Sequence, residues 1–308
     1  MKIERHIAQG FGKGELYDVL VQMQMEAGAM PISGPTYFCS KYGNNTDGLS
    51  WENAFTTIAA AITAANTYNT ASGGLGRTRI YIDSGPGWAE NLAVFPNNCD
   101  MVGVGSNPRI QGVVHITTAV ENCHLFNIAF RNAAGDTETP LVKITPFCHG
   151  LWFINCIFDI RCICTAALEL VYHGNQKIKI KGCTIYGNWQ PLVGIQLDGG
   201  FMFGEISNNY IRATDTGILV AHACTTWDYH SIIKENVIIG IDHTEASLAR
   251  GISLLSSVGN SKMVIVGNWI SADVAIYYAN DASGHAADVC IDNHVTEGGI
   301  GGIEVVLS

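Results

Sequence analysis

A dipeptide ending in Cys or Asn recurs along this chain with apolar residues at constant offsets, and few folds can accommodate such a pattern. It occurs as Asn98-Cys99, Asn122-Cys123, Asn155-Cys156, Gly182-Cys183, Asn208-Asn209, Glu235-Asn236, Gly267-Asn268 and Asp292-Asn293. Counted from the second residue of each, the spacings are 24, 33, 27, 26, 27, 32 and 25. A quasi-period in the twenties with occasional insertions is a solenoid signature, because each repeat buries its apolar face only against its neighbours. In the last six repeats the residue three before the anchor is Phe153, Ile180, Ile206, Ile233, Ile265 or Cys290, and the residue two after it is Phe158, Ile185, Ile211, Ile238, Ile270 or Val295. A second strand repeats as Leu168, Ile195, Ile218, Ile252, Ile276 and Ile303, followed two residues on by Leu170, Leu197, Val220, Leu254, Tyr278 and Val305. Alternation with a period of two over about five residues, broken by Gly, Asn and Asp, marks strands and turns. Stacked in parallel at ~4.8 Å per rung, these strands predict an all-β fold, a parallel β-helix. Asn at the anchor tolerates a left-handed bend and can bond to its neighbours along the stack. Cys99, Cys123, Cys156 and Cys183 are expected to fill the same slot as small core residues.

The composition limits the partners. The 17 basic and 27 acidic residues leave a net charge of −10, which argues against a nucleic-acid partner. Charged residues make up 14% against the ~25% usual in globular domains, while 47% are apolar, so disorder is excluded. No apolar run reaches 18 residues, and the N-terminus lacks the unbroken apolar stretch of a signal peptide. We therefore expect no membrane insertion and a product made in a cytoplasm. The ten cysteines are expected to be reduced, and beyond the CxC of Cys162 and Cys164 nothing has metal-ligand spacing, so neither metal nor cofactor is expected.

Ahead of the coils, Thr56 to Asn66 is predicted to be a helix with an apolar face at Ile58, Ala61, Ile62 and Ala65, closing the open end of the solenoid. The coil domain is placed at 34–308, with the cap at about 36–95 and the coils at about 96–308. In residues 1–33, Leu16, Val19, Leu20, Met23, Ala27 and Met30 form a helical stripe behind Gly10, Gly12 and Gly14. This segment is expected to dock the body onto a larger assembly or onto sister chains, or else to pack on the chain's own lid.

The stretch Tyr37 to Trp51, followed by Ala54-Phe55-Thr56-Thr57-Ile58, Ala60-Ala61-Ile62 and the strand Arg79-Ile80-Tyr81-Ile82, resembles the N-terminal cap of pectin-lyase-like right-handed parallel β-helix proteins. The resemblance is to the bacteriophage tailspike, fibre and head-decoration type. It implies a single-stranded right-handed β-helix and a virion protein assembled in the host cytoplasm. Pectin-cleaving relatives use clustered aspartates with calcium and an arginine, or several aspartates on adjacent rungs. This chain lacks paired aspartates, and Cys148-His149-Gly150 is a distant echo of the hydrolase histidine motif.

The remaining candidates come from the lattice itself. Glu169 and Asp198 are predicted to point outward from successive coils, roughly 8 Å apart, the separation of an inverting glycosidase pair. With 27 acids on a regular lattice such a pair also arises by chance, so no catalytic role is committed. Asp159, Tyr186 and Arg212 share an outward column that reads as a surface ladder. Trp88, Trp189, Trp227 and Tyr229 could stack on sugar rings or serve subunit contacts. Outward positions of the later rungs carry Ile232, Val264, Val266, Trp269, Val289 and Ile291, where earlier rungs carry Lys179, Lys181 and Glu205. An apolar outer face implies a covering partner, either a second copy in a side-by-side homotrimer or a loop or tail of the same chain. The leading expectation is thus a non-catalytic structural virion protein, a phage spike, fibre or capsid-decoration subunit. The alternative is a depolymerase, hydrolase or lyase, or a carbohydrate-binding β-helix, acting on host-surface polysaccharide.

Overall fold

The computed structural model describes residues 33–132, 139–172, 175–187, 191–198, 201–221, 231–240, 249–255, 263–279, 289–295 and 303–306. Within them the chain winds as a parallel β-helix. Its strands stack into sheets of ten, nine, eight and four strands, and every pairing between named strands is parallel. The ten-stranded sheet begins at Thr36–Cys39 and ends at Val289–Ile291. The nine-stranded sheet runs from Trp88–Ala89 to His294–Val295, and the eight-stranded sheet from Val114–Ile116 to Ile303–Val306. The four-stranded sheet spans Val120–Glu121 to Phe201–Met202.

The predicted inner columns are in register. Phe153, Ile180, Ile206, Ile233, Ile265 and Cys290 pair rung to rung, as do Phe158, Ile185, Ile211, Ile238, Ile270 and Val295. All belong to or pack against one continuous core. Where the eight-stranded sheet turns in toward the nine-stranded sheet, only glycine fits. A Cβ on Gly217 would lie 2.2 Å from Ile238 Cγ2, and one on Gly251 2.3 Å from Ile270 Cγ2.

The anchor series needs a correction. Cys99 pairs with Cys123, but Cys123 and Cys156 are not equivalent, because the register places Trp152 opposite His124 and Ile157 opposite Ala129. Among the described residues, left-handed corners occur at two places in the coil. Asn98, Asn122, Gly150, Lys177 and Phe203 precede the strand of the ten-stranded sheet, and Asn127, Asn155, Gly182, Asn208, Glu235, Gly267 and Asp292 follow it, all with positive φ. Both corners favour Asn and Gly for the same steric reason, so they look alike in sequence. The spacing of 33 is a jump from one corner to the other rather than an insertion. Cys99 and Cys123 therefore occupy a different slot from Cys156 and Cys183, although all four are buried, as the core reading requires.

After the second corner the interior column runs Cys156, Cys183, Asn209, Asn236, Asn268, Asn293. Each of Asn236, Asn268 and Asn293 accepts at Oδ1 from the amide Nδ2 of the preceding Asn, at 2.8 to 2.9 Å. Each Asn from Asn209 to Asn293 also donates to a carbonyl on the preceding coil, as Asn209 does to Ile180 O at 2.9 Å. Cys183 Sγ makes the matching contact to Phe153 O at 3.4 Å, and burial first of all, then the neighbouring Cys156, holds its pKa well above the usual thiol value. A protonated thiol thus donates where the amide donates. Cys39, Cys99, Cys123, Cys148, Cys156, Cys164 and Cys183 are free thiols.

Helix α1 (Ile58–Ala71) closes one end, burying Ile58, Ala61, Ile62 and Ala65 as its pattern predicts. Thr57 caps it by accepting from Ala60 N. The helix extends five residues past the expected end at Asn66. Its β-branched threonines satisfy their hydroxyls on the preceding turn, Thr63 on Ala59 O, Thr67 on Thr63 O and Thr70 on Asn66 O, so propensity does not stop it.

Candidate functional surface

The outer face of the ten-stranded sheet changes character along the solenoid. One outward column reads Arg79, Asp100, His124, Trp152, Lys179, Glu205, Ile232, Val264, Val289, and its neighbour reads Phe38, Tyr81, Val102, Phe126, Ile154, Lys181, Ser207, Lys234, Val266, Ile291. Parallel in-register stacking brings each residue directly over its counterpart, so three zones result.

In the first zone Asp100 is ion-paired with Arg77 and, at 3.0 Å, with Arg79. His124 Nδ1 lies 2.8 Å from Arg77 Nη2 and 3.1 Å from Asp100 Oδ1, and its ring stacks on Trp152 at 3.8 Å. Asp100 and His124 are fully buried. Burial alone would raise the Asp100 pKa, but contact with His124 and the Arg77 charge outweigh it and leave it lowered. Burial also lowers the pKa of His124, against the pull of Asp100, so the ring is neutral at pH 7. The sequence reading missed this cluster because alternation alone marks these positions as outward and hence solvated. The rung-to-rung run of Asp100 over His124 was the available signal.

In the middle zone Glu205 lies between Lys179 and Lys234, at 3.6 and 3.3 Å. In the last zone the expected apolar column is present: Ile232, Val264 and Val266 are half-buried, while Ile291 is 51% exposed. The side chain of Val289 is outside the description. Around the second corner, the outward column of the nine-stranded sheet continues the stripe with Tyr210, Val237, Trp269 and His294. Trp269 is 52% exposed, and its ring meets His294 edge-on at 5.1 Å. The Asn ladder lies directly beneath, so this surface is rigidly backed.

The carboxylate candidates fall on the outer side of the eight-stranded sheet, where Lys143, Glu169 and Gln196 pair in register. Glu169 is nearly buried and ion-paired to Lys143 at 3.1 Å, and Gln196 Nε2 donates to Asp198 Oδ1 at 2.8 Å. Burial is the main cause of the raised pKa of Glu169, opposed by Lys143 and reinforced by hydrogen-bonding contact with Asp198. Leu170 pairs with Leu197, so Glu169 and Asp198 sit on adjacent coils on either side of that pair.

Asp159 pairs in register with Tyr186 and is ion-paired to Arg131 on the preceding coil and to Arg161 two residues along its own coil. Trp88 is buried in the core with Nε1 donating to Asp83 O at 3.1 Å, which removes it from the sugar-stacking candidates. Trp189, Trp227 and Tyr229, and Leu16, Val19, Leu20 and Met23 of the N-terminal segment, lie outside the described residues. Among the described residues there is no group of three His, Cys, Asp or Glu placed to hold a metal, and no helix long and apolar enough to cross a membrane.

No family model matches the chain, and no curated protein is similar to it. Among solved structures it is similar to the crystal structure of the Dettilon tailspike protein, at 14% identity and a TM-score of 0.38, covering 78% of this chain. The chain spans 58% of the length of that protein.

Proposed function

We propose that this chain is a non-catalytic structural subunit of a virion, a phage spike, fibre or capsid-decoration protein, that associates side by side into a homotrimer. The observation that carries the reading is the exposed apolar stripe of Val237, Trp269 and Ile291, backed by the Asn ladder. An apolar surface on so regular a scaffold is stabilised by a partner with matching shape, and an identical coil is the simplest such partner. The virion assignment rests on the resemblance of the cap sequence at residues 37–62. Sedimentation of the purified chain should give a trimer that Trp269→Glu with Ile291→Glu converts to a folded monomer, and mass spectrometry should find the chain in purified particles. A wild type that stays monomeric at micromolar concentration would remove the trimer, and absence from particles would remove the virion role.

A second reading, a polysaccharide depolymerase, is favoured by one feature, the raised carboxyl of Glu169 beside Asp198. It requires cleavage of some capsular or cell-wall glycan that Glu169→Gln and Asp198→Asn each suppress without loss of fold. A panel of such glycans left intact by the wild type would exclude it.

A further inference from the structure

Four outward-facing apolar side chains on consecutive rungs, Tyr81, Val102, Phe126 and Ile154, form a cluster of their own, and none is more than 5% exposed. Strand alternation points them away from the solenoid core, so the coils cannot be what hides them. Among the described residues, the hydrophobic side chains packed against the cluster are Phe38, Val104 and Trp152, which are its neighbours on the same face and flank it rather than cover it. The adjoining Asp100 and His124 are equally inaccessible. A sheet face this dry has a covering layer.

The chain itself points to the layer. Ser33 N and Gly34 N both donate to Arg77 O, and Arg77 N donates to Ser33 Oγ at 3.0 Å. Arg77 is also the residue whose guanidinium pairs with Asp100, so residue 32 joins the described chain at the rim of the cluster. Length agrees. The three rung steps from Tyr81 to Ile154 span about 14 Å at ~4.8 Å each, and the stripe from Leu16 to Met30, if helical, spans about 21 Å at ~1.5 Å per residue.

We propose that residues 1–32 fold back onto their own chain and seal the outer face formed by Tyr81, Val102, Phe126 and Ile154, with Leu16, Val19, Leu20 and Met23 as the contacting stripe. This assigns the segment to the chain's own first coils and leaves assembly to the apolar stripe of the last coils. The inference is independent of the virion reading.

The test uses the full chain with p-benzoylphenylalanine replacing Phe126 in one variant and Ile154 in another, each checked for wild-type circular dichroism and melting. Unlabelled and nitrogen-15 chains are mixed before irradiation, and crosslinked peptides are mapped by mass spectrometry. Most crosslinks at both positions should join residues 1–32 of the same chain. Crosslinks to residues beyond 33, crosslinks between labelled and unlabelled chains, or no crosslinks in either folded variant would each overturn the proposal. Should one variant fail to fold, the other decides alone.

Discussion

Asn236 makes four hydrogen bonds from one buried side chain. Oδ1 accepts from the backbone N and the Nδ2 of Asn209, and Nδ2 donates to Ile206 O and Asn268 Oδ1. Truncation to Ala strands several buried polar groups at once, each costing about 1 to 3 kcal/mol. Asn236→Ala should therefore destabilise the protein by about 3 kcal/mol or more in urea denaturation, and Asn236→Cys by less, because Cys183 shows that a thiol can still reach the preceding carbonyl. Asp100 sets a second expectation. Its folded pKa is lowered, so the stability it contributes is present above its unfolded pKa near ~4 and is lost as pH falls through the folded value. His124, also lowered, adds an earlier loss, as pH drops below its unfolded value near ~6.5 and then through the folded one, because protonation places a charge in a buried site, with the Arg77 guanidinium beside it. Asp100→Asn should cost about 3 to 5 kcal/mol at neutral pH, with the gap to wild type narrowing only below about pH 4. A gap unchanged between pH 7 and pH 3 would contradict the ion-pair account. At this scale the sequence was legible where one geometric demand admits few residues, as at the left-handed corners. It was opaque where an outward position turned out to be covered, as at Asp100 and His124, because alternation reports the face of a sheet and not what lies over it.

Two sheets meet closely where Gly217 faces Ile238 and Gly251 faces Ile270. Parallel strands at this corner approach until a Cβ would overlap a methyl group, so the close contact sets the local width of the coil. Gly217→Ala should destabilise by about 1 to 3 kcal/mol, as overpacking usually does, and Ile238→Ala should recover part of that loss in a double-mutant cycle because it removes the colliding Cγ2. Strictly additive losses would show that the backbone, Gly251 O at 2.7 Å, is the real obstacle. The inner columns were legible at the level of elements because a period of two over five residues repeats on every rung. The error in the anchor column has a physical origin: two corners with the same steric requirement attract the same residues, and spacing alone cannot separate them. The helix end was missed for a related reason, since threonine propensity argues against helix while the local hydroxyl bonds of Thr67 and Thr70 permit it.

The molecule as a whole is close to one-dimensional: each coil touches the coils above and below it, so stability is a sum of local and nearest-neighbour contributions. One end is closed by α1 packed against Thr36–Cys39 and Thr78–Asp83. The other end carries the exposed apolar stripe and, in Cys290 and Val295, interior residues that are only partly buried. A buried unpaired charge costs several kcal/mol wherever it is placed, but what it unravels depends on how many coils lie beyond it. Ile265→Asp sits on the next-to-last strand of the ten-stranded sheet, so fraying the coil beyond it relieves the charge at small cost. Ile80→Asp sits beneath α1, with nearly the whole stack resting on it. Limited proteolysis with mass spectrometry should show Ile265→Asp trimmed to a resistant fragment that keeps the earlier coils, and Ile80→Asp degraded throughout. Equal, complete degradation of both would mean that the solenoid unfolds as one cooperative unit, and the nearest-neighbour picture would have to be abandoned for this chain.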